Sequence, residues 1–121
     1  MVIWITGRAG AGKTTLARKL QAQMNSCLVC DGEEMRHEHP ASFDDEGRRA
    51  NIMRLAKEAA GAEANGGMAI VACVSPKRIW RDEARALFEE SVLIYIPGGT
   101  LWEGTTYEEP TGDEICNPRF S

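Results

Sequence analysis

The octapeptide 7-GRAGAGKT-14 lies between an apolar run, 2-VIWIT-6, and a segment of helical pattern that begins at Lys13. It fits G-x-x-x-x-G-K-[ST], the loop that joins a buried strand to a helix and wraps phosphates with its backbone N–H groups. The helix that follows adds the positive end of its dipole. Lys13 is then placed to reach the β and γ oxygens of a nucleotide, and Thr14 to offer its hydroxyl to Mg²⁺.

Outward from this loop, the runs 2-VIWIT-6, 27-CLVC-30, 68-MAIVACV-74 and 92-VLIYI-96 are short, apolar and without polar alternation. Strands buried on both faces of a parallel sheet have that character. Segments of helical length lie between them: Lys13 to Met24, roughly Asp45 to Asn65, and Lys77 to Glu89. In the second, Ile52, Leu55, Ala56, Ala59 and Ala60 form one apolar stripe, with Asp44 or Asp45 as N-cap and 65-NGG-67 as stop. The third carries Ile79, Ala86 and Leu87 on a similar stripe. Alternating strands and helices over about a hundred residues predict an α/β fold, a three-layer α/β/α sandwich on a parallel sheet with right-handed crossovers. No repeat or linker interrupts the chain, so residues 1–121 read as a single domain. After Ile96 the periodicity stops, leaving loop and at most a short edge strand around Glu114 to Cys116.

The net charge of −4 hides an asymmetry. Residues 1–85 hold 13 of the 14 Lys and Arg against 11 acids, whereas residues 86–121 hold Arg119 alone against 7 acids. Polyanion binding therefore belongs to the first two thirds, and the overall acidity argues against a nucleic-acid partner. No apolar run is long enough to span a bilayer and no basic leader precedes the first strand, so the expectation is a cytoplasmic protein without a membrane partner. Cys27 and Cys30 form a C-x-x-C, but on a strand their thiols point to opposite faces. They read as buried apolar cysteines rather than a metal knuckle.

Three further motifs follow the strands. Asp31 of 31-DGEEMR-36 stands at the carboxyl end of the second strand, where open α/β sheets bind ligands. A carboxylate there can orient an acceptor hydroxyl, take its proton or hold Mg²⁺ through water, and the Asp31–Gly32 pair also reads as a plain turn. Arg36 follows at a spacing that can return it to the site. In 43-FDDEGRRANIMR-54, Arg48 and Asn51 share one side of a helix near its ligand end, and Phe43 can stack on a base. In 75-SPKRIWRDEAR-85, Ser75 and Arg78 are placed to touch a substrate, while Arg81, Asp82 and Arg85 read as a charged helix face.

In this order the motifs resemble those of the adenylylsulfate (APS) kinase family of P-loop kinases. GRAGAGKTT is shared, DGEEMR stands for the family's D-G-D-x-x-R, and FDDEGRRANIMR for F-S-x-x-D-R-x-E-N-I-R-R. VSPKRIWRDEAR stands for I-S-P-Y-R-x-x-R-D-x-A-R, and 107-YEEP-110 for Y-E-x-P. The resemblance implies that Gly7, Arg8, Ala9, Gly10, Ala11, Gly12, Lys13, Thr14 and Thr15 hold ATP with Mg²⁺. It makes Lys13 and Asp31 the catalytic pair, with Arg36, Phe43, Arg48, Asn51, Ser75 and Arg78 on the acceptor. The implied reaction moves the γ-phosphoryl of ATP to the 3′-hydroxyl of APS, and dimerisation, common in the family, makes a homodimer one implied assembly.

The sequence also departs from the family. Glu33, Asp44 and Gly47 stand where the pattern has Asp, Ser and Asp. Between the fourth strand and Y-E-x-P the family carries a basic lid, whereas 96-IPGGTLWEGTTY-107 contains no Lys or Arg. Two other readings therefore stay open, a lidless kinase for a different small acceptor and a non-catalytic nucleotide-binding module. Trp102 in this connection reads either as a cover on the nucleotide or as packing at the sheet edge.

Overall fold

Alternate residues of β1 (Val2–Gly7) feed two separate cores in the computed structural model, which describes residues 1–24, 26–101 and 106–115. Val2 and Trp4 point to one face and Ile3 and Ile5 to the other, as the two-residue period of a strand requires. β1 pairs in parallel with β3 (Met68–Ala72) on one side and β4 (Ser91–Ile96) on the other, Trp4 lying opposite both Val71 and Leu93. β2 (Cys27–Asp31) pairs with β3, and the sheet order is β2-β3-β1-β4.

On the Ile3 face sits α1 (Lys13–Ala22), whose Leu16, Ala17 and Leu20 pack on Ile70 and Ala72. On the Trp4 face sit α2 (Gly32–Glu38), α3 (Asp45–Ala64) and α4 (Arg78–Arg85). These are the three expected layers on a parallel sheet. The α3 stripe is as anticipated: Ile52, Leu55, Ala56 and Ala59 are buried, and a large aliphatic side chain so buried stabilises by roughly 1.5–3 kcal/mol. Asp44 is the N-cap of α3, its Oδ1 accepting from the Gly47 N–H at 2.8 Å. Gly66, with φ +83°, ends the run where 65-NGG-67 was read as a stop. Among the described residues no helix is long and apolar enough to cross a membrane.

Four local expectations need correction. α2 went unread as a helix, because its only signal is the capping of two backbone N–H groups by Asp31. On α4 and just past its end the buried apolar residues are Trp80, Ala84 and Phe88, whereas Ile79, Ala86 and Leu87 are exposed; both sets have helical spacing. Strand β2, at the sheet edge, leaves Leu28 exposed rather than buried. Where an edge strand was expected near Glu114, a helical turn forms instead, α5 (Gly112–Ile115), with the Ile115 N–H bonded to the Thr111 carbonyl. Trp102 and Cys116 lie outside the described residues.

Candidate active site

Gly10 and Gly12 adopt φ of +76° and +103°, a region costly for any residue with a Cβ. A Cβ built on either would meet nothing within 4 Å, so the loop faces open space. The Ala11 N–H closes the turn on the Arg8 carbonyl at 3.2 Å, and the same carbonyl accepts from Lys13 Nζ at 2.7 Å. Burial lowers the pKa of Lys13, while Cys73, Asp31 and Glu33 nearby pull it back up. An arriving polyanion acts in the second direction, favouring the ammonium.

Asp31 is held by three donors. Its Oδ1 accepts from the N–H groups of Glu33 at 2.9 Å and Glu34 at 3.3 Å, and its Oδ2 from Thr14 Oγ1 at 2.6 Å. The strand end, the helix it caps and the P-loop threonine thus meet at one carboxylate. Opposite, the Arg36 guanidinium lies 4.2 Å from the centre of the Phe43 ring and donates to the carbonyls of Ala41 and Ser42 at 3.0 and 3.1 Å. Burial and the neighbouring charge of Arg48 both lower the pKa of Arg36. Both arginines line the same cavity, where their charges favour an anion.

These groups surround one cavity of about 410 Å³, a size ordinary for a small-molecule site. Of the residues singled out in the sequence, Ala9, Gly10, Gly12, Lys13, Thr14 and Thr15 line its loop side, and Asp31, Arg36, Phe43 and Arg48 the other. Six do not. Gly7 instead allows β1 to approach β4, since a Cβ there would lie 2.7 Å from the Ile96 carbonyl oxygen, and Ala11 faces away. The Arg8 side chain turns to Glu109 and Tyr107. Asn51 is buried behind the wall, its Nδ2 bonding the Gly32 carbonyl at 3.3 Å. Ser75, with φ +40°, is buried, taking a hydrogen bond from Trp4 Nε1 at 3.1 Å. Arg78 pairs with Asp113 at 3.0 Å and with Asp82 at 3.5 Å on the outer surface.

Other wall residues had no signal of their own. Cys73, Val74 and Pro76 follow the third strand and are implied only by the rule that ligands sit at strand carboxyl ends. Burial pushes the Cys73 and Cys30 thiols up to about 12, so neither is a thiolate at neutral pH. Thr100 and Leu101 close the loop side; the Thr100 N–H bonds the Ala9 carbonyl at 2.9 Å, and a Cβ on Gly99 would lie 2.6 Å from that oxygen. Gly99, Thr100 and Leu101 of the base-free connection therefore lie along the phosphate-binding loop.

Gly47 has a comparable steric reason. A Cβ there would come within 2.2 Å of both Ser42 O and Ser42 Oγ, and Ser42 is one of the carbonyls that Arg36 holds. Gly47→Ala is expected to cost about 1–3 kcal/mol, as overpacking does, and to displace the Phe43 side of the cavity. A urea titration measures the first effect, and faster amide hydrogen exchange in peptides spanning residues 41–48 measures the second.

The sequence profile of the family described as Adenylylsulphate kinase matches residues 1–100. The chain is similar to the adenylyl-sulfate kinase of Burkholderia ambifaria, 34% identical over 117 residues, covering 92% of this chain and 65% of that protein. To the probable adenylyl-sulfate kinase of Archaeoglobus fulgidus it is 39% identical over 100 residues, 78% of this chain and 64% of that protein. Among solved structures, the APS kinase CysC of Mycobacterium tuberculosis in complex with AMPPNP and APS superposes with a TM-score of 0.63 at 30% identity, covering 76% of this chain and 60% of that one. The chain spans just under two thirds of the length of these relatives.

Proposed function

The chain belongs to the adenylylsulphate kinase family, and from that premise we propose that it is an ATP-dependent phosphotransferase acting on the 3′-hydroxyl of APS or a close relative. The observation that carries the reading is the convergence on one cavity of the phosphate-binding loop, Asp31 and the Arg36–Phe43–Arg48 wall. A loop of outward amides with Lys13 suits the β and γ phosphates, and the paired cations opposite suit an anionic acceptor beneath a stacked aromatic ring.

The residues also fit Mg²⁺. Thr14 Oγ1 and Asp31 Oδ2 form a compact pair of hard oxygen donors 2.6 Å apart beside the loop. Thr14 would contact the ion, with Asp31 behind it, and Mg²⁺ held there would supply neutralisation of the phosphate charge. The chain's own work is positioning. Lys13 leaves the Arg8 carbonyl for the transferring phosphoryl oxygens, Asp31 orients the acceptor hydroxyl and accepts its proton, and Arg36 and Arg48 hold the acceptor in line. Cys73, Val74 and Pro76 supply apolar lining that would exclude water from around a bound ligand and so strengthen these charges.

The test is ADP release from Mg²⁺-ATP across a panel of acceptors that includes APS and other small hydroxylated or phosphorylated molecules. Release with APS at a rate well above the ATPase background supports the reading. Release with another acceptor only moves the substrate assignment, and ATP binding with no release across the panel supports a nucleotide-binding module instead.

A further inference from the structure

The reaction above leaves the Tyr107–Ile115 segment without a task, yet hydrogen bonds and a buried ion pair anchor it to the rest of the fold. Its far end is fixed in the core: Arg81 donates to Glu114 Oε1 at 2.6 Å and to the Glu108 carbonyl at 2.8 Å, both side chains of the ion pair being fully buried. Two contacts hold its middle to the start of α4, from the Glu108 N–H to the Pro76 carbonyl at 2.7 Å and from the Arg78 N–H to Glu108 Oε1 at 2.9 Å.

Its near end meets the phosphate-binding loop from behind. Thr6 Oγ1 gives its one proton to the Val74 carbonyl at 2.6 Å, so the Tyr107 hydroxyl, 2.9 Å away, donates to Thr6. The Tyr107 ring stacks on Tyr95 with centroids 6.1 Å apart, and the Arg8 guanidinium lies 5.9 Å from its centre. Arg8 Nη2 also reaches Glu109 Oε1 at 3.5 Å, a long and exposed pair that contributes little alone. Residues 6 and 8, on either side of Gly7, are thus both tied to Tyr107. The carbonyl of Arg8 is the one that holds Lys13 Nζ and closes the turn.

We propose that Tyr107 and Arg8 are positioning residues: the Tyr107–Ile115 segment, anchored by the Arg81–Glu114 pair, braces the phosphate-binding loop on both sides of Gly7 and so fixes where Lys13 is held. The proposal rests on reading that loop as the nucleotide site. The brace reaches the reaction only through the loop, since neither Arg8 nor Tyr107 lines the cavity. Three of the seven acids in the chain's last third, Glu109, Asp113 and Glu114, lie in this segment and each face an arginine, Arg8, Arg78 and Arg81.

The experiment compares wild type, Tyr107→Phe, Arg8→Ala and the double variant by amide hydrogen exchange without ligand and by titration with a fluorescent ATP analogue in Mg²⁺. Each single variant is expected to speed exchange in peptides spanning residues 8–15 while leaving β3 and α3 unchanged. Nucleotide affinity should fall roughly three- to tenfold, the range of one lost hydrogen bond or cation–π contact. The double variant should lose less than the product of the two, because both changes release the same loop. Exchange and affinity equal to wild type in all variants overturns the brace, and so does an exchange increase spread evenly over the chain. Wild-type protein that binds no nucleotide overturns the proposed function, whereas loop-confined exchange in that protein still upholds the brace.

Discussion

Arg81→Ala is expected to lower the unfolding free energy by about 3–5 kcal/mol, the usual cost of removing one partner of a buried ion pair. Arg81 and Glu114 are 0% and 1% exposed, and Arg81 makes four hydrogen bonds, two to Glu114 and one each to the carbonyls of Ser75 and Glu108. Deleting the guanidinium leaves a carboxylate and two carbonyls without these donors. Against a typical domain stability of about 5–15 kcal/mol, the loss is a large fraction. Replacing both members with methionine should cost less than the single change, because no buried charge is then left uncompensated. Urea denaturation of the single and double variants measures the difference. A single variant within about 1 kcal/mol of wild type contradicts the buried-pair account.

Lys13→Ala is expected to reduce the rate of phosphoryl transfer by at least roughly a hundredfold to a thousandfold, the cost of removing one preorganised charge from a transition state. Burial lowers the pKa of this ammonium in the free protein, so its loss relieves desolvation and should cost little or no stability. A large fall in kcat at an unchanged melting temperature therefore separates a catalytic cation from a structural one. Steady-state kinetics beside thermal unfolding makes the comparison. Equal turnover in variant and wild type would remove Lys13 from the mechanism.

Much of this architecture was legible in the residues. Four apolar runs without alternation marked a buried parallel sheet, and the α3 stripe is met at Ile52, Leu55, Ala56 and Ala59. The phosphate-binding loop announced itself through its spacing. Long-range polar contacts were not legible in this way. Arg81 and Arg85 carry full charges on a helix, and only the arrival of Glu114 from 33 residues away makes burying Arg81 tolerable. Ser75 looked like a substrate contact because it ends a strand, but Trp4 and Thr6 claim its hydroxyl from below. Arg78, placed by its position after the strand to touch a substrate, pairs in the fold with Asp113 of the acidic segment. In each case the deciding partner lies far off in sequence, where neither periodicity nor local spacing carries information.

The acidic stretch after β4 shows the same limit. Read alone, 96-IPGGTLWEGTTY-107 is a connection too short, and too lacking in Lys and Arg, to be a basic lid. In the fold its first residues run along the phosphate-binding loop through Gly99 and Thr100, and the chain that follows ties Tyr107 to Thr6. Among the described residues, the cations on the cavity wall are Lys13, Arg36 and Arg48, and the proposed transfer would rely on these.

The account is tested most directly by incubating the protein with APS and ATP labelled in the γ-phosphoryl, in the presence of Mg²⁺, and following the label. It predicts label in the 3′-phosphate of the product nucleotide, one ADP released for each, and none of it with Lys13→Ala. Label that stays in ATP, or appears only as inorganic phosphate at the same rate with and without APS, would contradict it.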